Sequence, residues 1–561
     1  MTSREIVNDA EVTKGVVSKN KPATAFHIVF LHLDLGIGGA EQLIVNLALA
    51  SLPDHSNTSA NANVNANVDS LNARVSIFTT HCNQNHCFDA VRKTTNPPGE
   101  LAHSVHLIGA FLPVTILGKG TALCSTIRML YLSFKAKRMY PDADVFVLDV
   151  LPTPIPYLVQ TAKCVIYYCH FPDKLLTRDT VNGEKVNANA NANANCSVGV
   201  GVVGGNNGIK ALLKSHYRKI LDQMEEWAMS YADLICVNSN FTKTEVSRAF
   251  PSLKGNGGGD GDGGGVNANV NANNTMQVLY PAIDLNKFIP PDFTRKQELI
   301  GDGRNGDDGS EVQMPIVSLN RFERKKNIEV LLHAYASIYK KNTSNGVPIP
   351  PPLVISGGYD PRNAENVEYL TELKELAESL GIQENTKFRP SVSDEERAIL
   401  LQSAICVVYT PHREHFGIVP LEAMYAGSAV VAIKSGGPKE TVLDGVTGIL
   451  VDMIPGDSCE KLADAIGELL NDPAKAIEMG KRGHEHVKEK FGLKPFQREW
   501  KRLVLAAIPR GHKRQESASR RVSLFFTYAF LLLAWYLATY LLQGTSWCGA
   551  KDTFTKVDLY K

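Results

Sequence analysis

Short β-branched apolar runs alternate with amphipathic helical segments along most of the chain, the pattern of a parallel sheet covered on both faces. A first set of runs lies at 26–33, 74–78, 145–148, 165–168 and 234–237, and a second at 277–280, 316–319, 353–355, 405–409 and 429–432. Asn/Ala/Val- or Gly-rich tracts at 57–67, 186–208 and 255–274 interrupt the pattern, with a smaller polar loop at 301–310. Such tracts have too little apolar surface to bury and read as disordered insertions. Because the 255–274 tract separates the two sets, the simplest partition is two Rossmann-like doubly wound α/β domains, 23–254 and 275–508, facing a cleft, after a disordered tail at 1–22. Ligands of such sheets bind beyond the carboxyl ends of the strands, so the site is expected in that cleft. The helical stretch 456–507 closes the second domain and is long enough to reach back to the first.

A different pattern follows. Residues 522–542 read VSLFFTYAFLLLAWYLATYLL without a charge, and about 20 apolar residues cross the hydrocarbon as a helix. A transmembrane helix is therefore expected there rather than a buried hairpin. The basic linker 509–521 before it, with Arg510, Lys513, Arg514, Arg520 and Arg521, keeps both domains cytoplasmic by the positive-inside rule and puts the tail 543–561 in the lumen. The N-terminus is polar and lacks a signal-peptide core. In that topology the sequons at Asn57, Asn195, Asn240, Asn273 and Asn342 stay unmodified.

With 59 Lys plus Arg against 58 Asp plus Glu in 561 residues, no basic excess points to nucleic acid. The ten cysteines are scattered, as reduced thiols are. The HCNQNHC stretch at 81–87 lacks a second Cys/His pair at zinc-finger spacing, so no metal site is expected.

Candidate chemistry sits where apolar runs end. Glu414 and Glu422, eight positions apart, bracket Phe416, Gly417, Ile418 and Val419, whose N–H groups open a helix. One carboxylate can face a ligand from the loop and the other accept ribose hydroxyls, although a charged loop before an amphipathic helix has the same pattern. The NRFERKKN run at 320–327 follows the strand IVSL, and Arg321 and Lys326 are placed to neutralise a departing diphosphate, while Arg324 and Lys325 must partly face water. Gly38, Gly39 and Glu41 form a glycine turn after the first strand. Glu41 occupies the last Gly position of the dinucleotide fingerprint, which argues against a nicotinamide oxidoreductase. His170, in YCHFPD, places an imidazole at a third strand end. Gly436 and Gly437 open another strand–turn–helix junction that offers N–H groups to a phosphate.

These motifs together resemble glycosyltransferase family 4, retaining enzymes of GT-B type marked by a Glu-x7-Glu motif, an Arg and Lys on the diphosphate and an N-terminal Gly loop. GIGGAE, HCF at 86–88, YCHFPD, VNSNFT, NRFERKKN, GGYDPRNAENVEYL, YTPHREHFGIVPLEAMY and SGGP, in that order, are similar to the branch that builds dolichol-linked N-glycan precursors. The similarity covers nearly all of 25–505 outside the insertions. It implies GDP-mannose as donor, dolichol-diphosphate-linked Man-GlcNAc2 as acceptor, and addition of α-1,3- and α-1,6-linked mannose at the cytoplasmic face of the endoplasmic reticulum membrane. It implies no required cofactor or divalent ion, and a complex with other early mannosyltransferases of that pathway. By the same resemblance Arg321 and Lys326 hold diphosphate, Glu414 the donor mannose and Glu422 the ribose. His170 sits beside the reacting sugar, and Gly38 and Gly39 lie near donor phosphate or acceptor. The rival readings are a transferase using UDP-GlcNAc in lipid-anchor synthesis, with the same domain plan, and an inert membrane scaffold.

Overall fold

The computed structural model describes residues 26–53, 71–115, 120–176, 207–253, 276–301 except 286, 287 and 289, and 314–515 except 455 and 456. The tail 1–22 and the apolar run 522–542 lie outside the described residues, as do the three tracts apart from residues 207 and 208, which begin the helix Asn207–Met229. Among the described residues no helix is long and apolar enough to cross a membrane.

Both expected sheets are present and wholly parallel. The first has seven strands, β1 (His27–Leu31), β2 (Arg74–Thr79), β3 (Val105–Leu107), β4 (Val145–Asp149), β5 (Cys164–Cys169), β6 (Leu234–Val237) and β7 (Met276–Val278), in the order β3-β2-β1-β4-β5-β6-β7. The second has six, β8 (Ile316–Leu319), β9 (Leu353–Gly357), β10 (Thr386–Pro390), β11 (Cys406–Tyr409), β12 (Ala429–Ile433) and β13 (Gly448–Val451), in the order β10-β9-β8-β11-β12-β13. The central strands β1, β4, β5, β11 and β12 are buried at every position, which is why they are continuous apolar runs rather than alternating ones. The strands absent from the sequence reading are β3, β10 and β13. VHL and GILV are short, and TKFRP carries exposed polar residues at a sheet edge, so none gives a clean apolar run.

Two corrections concern the boundary. The run expected to open the second sheet at 277–280 instead ends the first: Ile235, Cys236 and Val237 pair with Met276, Gln277 and Val278. A low-complexity tract marks a loop, and loop composition says nothing about which sheet the next strand joins. The last helix, Leu493–Gln515, likewise crosses back. Phe496, Trp500, Leu503, Val504 and Ala507 complete one core layer of the first domain against Ile44, Leu47 and the sheet. Trp500 is fully buried and donates from Nε1 to Ser51 Oγ at 2.9 Å. Gly511 lies so close to Lys163 that a Cβ would sit 1.9 Å from its carbonyl oxygen. The first domain is thus closed by residues that follow the entire second domain.

Trp500→Ala should lower the stability of the full chain to denaturant by about 3–5 kcal/mol. Trp500→Phe, which keeps most of the packing and loses the bond to Ser51, should cost about 1 kcal/mol. Equal stability of all three proteins would show that the helix is not part of the first core.

Candidate active site

The candidate residues lie on loops at the carboxyl ends of strands in both sheets. In the second domain β11 ends in the loop that leads to the helix Ile418–Tyr425. Thr410 donates to Lys326 O at 2.7 Å, tying this loop to the turn after β8. Lys326 Nζ then lies 2.6 Å from Glu414 Oε2, with 15% and 23% of the two side chains exposed. Burial alone would push the Glu414 carboxyl up, but the Lys326 ammonium and a bond from the Tyr409 hydroxyl hold it below the usual range. Arg321 differs: it is 72% exposed, and its ion-pair partner Glu323 is 3.9 Å away. The structure divides the basic run accordingly. Arg324 turns to Glu368 and Glu372 on the helix Ala364–Ser379, and Lys325 pairs with Glu323 at 2.9 Å.

Glu422 sits inside the helix Ile418–Tyr425, 9% exposed and ion-paired to Arg397. The Phe416 ring is buried with Tyr280 and Phe491, so only its backbone can meet a ligand, whereas Ile418 is exposed and Val419 half-buried. Gly417 caps this helix at φ +77°, a conformation that favours glycine. Gly436 and Gly437 serve a purpose the sequence does not reveal. A Cβ on Gly436 would lie 2.1 Å from Glu414 O, and one on Gly437 2.0 Å from Phe416 O. Gly437 N–H already donates to Glu414 O at 2.8 Å. These glycines let two loops pack backbone on backbone, which fixes the Glu414 loop; the Gly437 N–H is not open to a phosphate.

In the first domain Gly38 precedes the helix Gly39–Ser51, and Gly39 has open space around it. A Cβ on Gly38 would stand 2.3 Å from Glu41 Oε2, so the Glu41 carboxylate occupies the room glycine leaves. An anion in this turn opposes a phosphate and can accept from hydroxyls. His170, at the end of β5, bonds through Nε2 to Asp149 Oδ2 at 3.1 Å, and Asn238 donates to its carbonyl at 3.0 Å. Glu225 accepts from Asp173 N and Lys174 N and so anchors the YCHFPD loop; burial pushes its carboxyl up to about 7. The HCNQNHC stretch gathers no ligand set: His81 bonds to Asp34, and no three His, Cys, Asp or Glu side chains group as metal ligands among the described residues.

The two halves meet through residues that sequence reading passed over. Glu440, in the one-turn helix Pro438–Thr441, accepts from Phe241 N at 2.7 Å, Asn240 N at 2.8 Å, Asn240 Nδ2 at 2.9 Å and the Tyr280 hydroxyl at 3.0 Å. A carboxylate from the second domain thereby caps the helix Asn240–Ala249 of the first, where unpaired N–H groups and the helix dipole favour an anion. Ser239 Oγ, the cap within that chain segment, donates to His415 O at 2.6 Å. Arg413 reaches Glu245 at 2.9 Å, and Phe171, next to His170, stacks on His415 at 3.6 Å. Burial lowers the His415 ring to about 4, so it stacks as a neutral ring. The signal in the sequence was VNSNFT, whose Ser-Asn pair is a helix cap; its partner is 200 residues away.

Glu440→Ala removes the shared acceptor of these four bonds. Because a hydrogen bond to a charged group contributes about 1.5–3 kcal/mol, the domains should separate, seen as a larger radius of gyration in solution scattering, while the unfolding of each domain changes little. An unchanged radius would refute the seam.

Residues 311–486 match the glycosyl transferases group 1 family. The chain is 33% identical over 500 residues to the Alpha-1,3/1,6-mannosyltransferase ALG2 of Dictyostelium discoideum, covering 86% of this chain and 99% of that protein. It is 31% identical over 482 residues to the human protein of the same name, covering 85% and 95%. Among solved structures, sucrose-phosphate synthase from Thermosynechococcus elongatus superposes with a TM-score of 0.54 at 19% identity over 88% of this chain and all of that one. The N-terminal domain of Candida albicans trehalose-6-phosphate phosphatase does so with 0.53 at 10% identity, over 87% and 98%. The structural likenesses establish the two-domain fold, and the sequence likenesses, covering most of the chain and nearly all of each relative, establish that this chain belongs to the ALG2 family of alpha-1,3/1,6-mannosyltransferases, glycosyltransferase enzymes.

Proposed function

We propose that the chain transfers mannose, with retention, from GDP-mannose to dolichol-diphosphate-linked Man-GlcNAc2, making α-1,3 and α-1,6 linkages in N-glycan precursor synthesis. The names of its relatives support the linkages, and the observation that carries the chemistry is the Lys326–Glu414 pair beside the exposed Arg321. The Lys326 charge is matched by Glu414. A diphosphate brings more negative charge than one carboxylate, so it draws Lys326 and Arg321 to itself and frees Glu414 to accept from hydroxyls of the donor mannose. As the bond from mannose to phosphate breaks, the two cations stabilise the charge on the leaving diphosphate. The acceptor hydroxyl attacks from the same face and gives its proton to that diphosphate, so no protein nucleophile is required. Glu422, ion-paired to Arg397, accepts from the ribose hydroxyls. Neither Lys326 nor Arg321 requires help from a divalent ion, and the reaction runs without one.

The acceptor is a lipid, and the enzyme works on the cytoplasmic face of the endoplasmic reticulum membrane, beside other early mannosyltransferases of the pathway. The uncharged run 522–542 supports a membrane anchor. Exposed Phe111, Ile127 and Phe134 in the first domain, with Arg138 nearby on the helix Thr121–Met139, suit contact with a lipid surface. Asn240 supports the topology, because a glycan on its Nδ2 would break the bonds to Glu440 and Tyr280.

Purified full-length protein should transfer mannose from GDP-mannose, and from no UDP-sugar, to phytanyl-linked Man-GlcNAc2, and should do so in excess chelator. Arg321→Ala and Glu414→Ala should each slow transfer by about 10²–10³; full activity in both would place the active site elsewhere. Endoglycosidase treatment should leave its electrophoretic mobility unchanged, whereas a shift would put the domains in the lumen.

A further inference from the structure

Behind the first-domain loops, at the ends of β1, β4 and β5, runs a buried chain of ionisable groups that the transfer chemistry above leaves without a role. Asp149, the last residue of β4, has no exposed surface. Its Oδ1 accepts from His32 Nδ1 at 2.7 Å and its Oδ2 from His170 Nε2 at 3.1 Å. His32 is 2% exposed, and its other nitrogen, Nε2, lies 4.0 Å from Glu41 Oε1 in the glycine turn. The order is therefore Glu41, His32, Asp149, His170, a line of alternating acid and imidazole that begins in one cleft loop and ends in another.

Three features make this line a device for orienting His170. An ionised carboxylate can only accept hydrogen bonds, so each ring must carry a hydrogen on the nitrogen that faces Asp149. For His170 that nitrogen is Nε2, and Nδ1 is its remaining polar atom, with no partner among the described residues. The charges also alternate along the line. Burial disfavours a charged His32, but Asp149 on one side and Glu41 on the other hold the ring above its usual range, and the two histidines hold the Asp149 carboxyl below its own. His32 can then carry a positive charge between the two carboxylates, and with Nε2–H committed to Asp149 the lone pair of the His170 ring is on Nδ1. Finally, the ring is fixed where it is useful: His170 is 29% exposed at the cleft, and the adjacent Phe171 lies against His415 of the donor loop.

We infer that Asp149, backed by His32 and Glu41, is a positioning residue that locks His170 with Nε2–H turned into the sheet and Nδ1 presented to the cleft as the acceptor of a hydrogen bond from a sugar hydroxyl. This deepens the mannosyl-transfer reading and rests on it. The other titratable neighbours are Tyr167, Tyr168 and Cys169 on β5, all kept protonated by burial, and Glu225, which titrates near 7. Glu225 is therefore a neighbour that changes charge within the assay range and needs its own control.

The test compares wild type with Asp149→Asn, His32→Gln, His170→Gln and the pairs Asp149→Asn/His170→Gln and His32→Gln/His170→Gln, using full-length protein, GDP-mannose and the phytanyl-linked acceptor across pH 5.5–8.5. Asparagine keeps the shape but can donate to the ring, which permits the wrong tautomer. Asp149→Asn should lower kcat about tenfold to a hundredfold, the equivalent of one charge-assisted hydrogen bond, with the KM for GDP-mannose nearly unchanged. The acid limb of its pH profile should move, and a Glu225→Gln control should leave that movement in place. In the double variant the Asp149 change should add almost nothing to the loss from His170→Gln, because the two act as one unit. If Asp149→Asn does not fold, the His32 cycle carries the same reading. Activity of Asp149→Asn within about threefold of wild type, or additive losses in whichever cycle folds, would overturn the inference. A wild-type protein that transfers no mannose would instead overturn the reading on which it rests.

Discussion

One carboxylate makes the two sheets a single site. Glu440 projects from a one-turn helix of the second domain, and both its oxygens are bonded to the first domain, at the N-terminus of the helix Asn240–Ala249 and at Tyr280. Unpaired N–H groups at a helix start are a fixed positive feature, and a mobile side chain from elsewhere satisfies them only when the domains stand in one relative position. Because Glu440 follows directly on Gly436 and Gly437, whose lack of side chains lets the Glu414 loop pack on them, the contact between domains and the shape of the donor loop are one mechanical unit. Ser239 on the His415 carbonyl and Phe171 on the His415 ring bring the loop of His170 to it.

Electrostatics inside the cleft follow a related logic. Lys326 is paired and partly buried, whereas Arg321 is mostly exposed. A fully paired site would have little attraction for a diphosphate, and a wholly unpaired one would hold like charges together in a water-poor place. Pairing one cation with a carboxylate while leaving the other exposed avoids both. In the first domain, the anion of Glu41 in the glycine turn has the reverse character. The cleft is polarised across its width, with positive charge at the ends of β8 and β11 and negative charge at the end of β1.

The chain path explains why such a seam can form reproducibly. The first domain lacks part of one core layer until Phe496, Trp500, Leu503 and Val504 arrive from beyond the second domain. β7, by contrast, stays in the first sheet although the tract 255–274 precedes it. The two crossings between domains therefore lie on the same side of the molecule, where Ile283 N bonds to Phe491 O at 2.9 Å. A hinge with two strands of chain side by side restricts the relative motion of the lobes more than a single linker would.

Much of this was legible in the residues themselves. Runs such as HIVFL, CVIYYC and AVVAI are apolar at every position because parallel strands are covered on both faces, and that local periodicity alone gave two doubly wound sheets with chemistry at the strand ends. The run of motifs from GIGGAE to SGGP gave the enzyme class. What periodicity could not give was any pairing between distant segments: which sheet received β7, which core received Trp500, which of four adjacent cations met Glu414, and that Asp149 joined His32 to His170. Spacing along a chain encodes which face of an element a residue occupies, whereas the partner opposite that face is chosen by packing and by charges brought together from 20 to 450 positions away, and only the folded molecule contains that information.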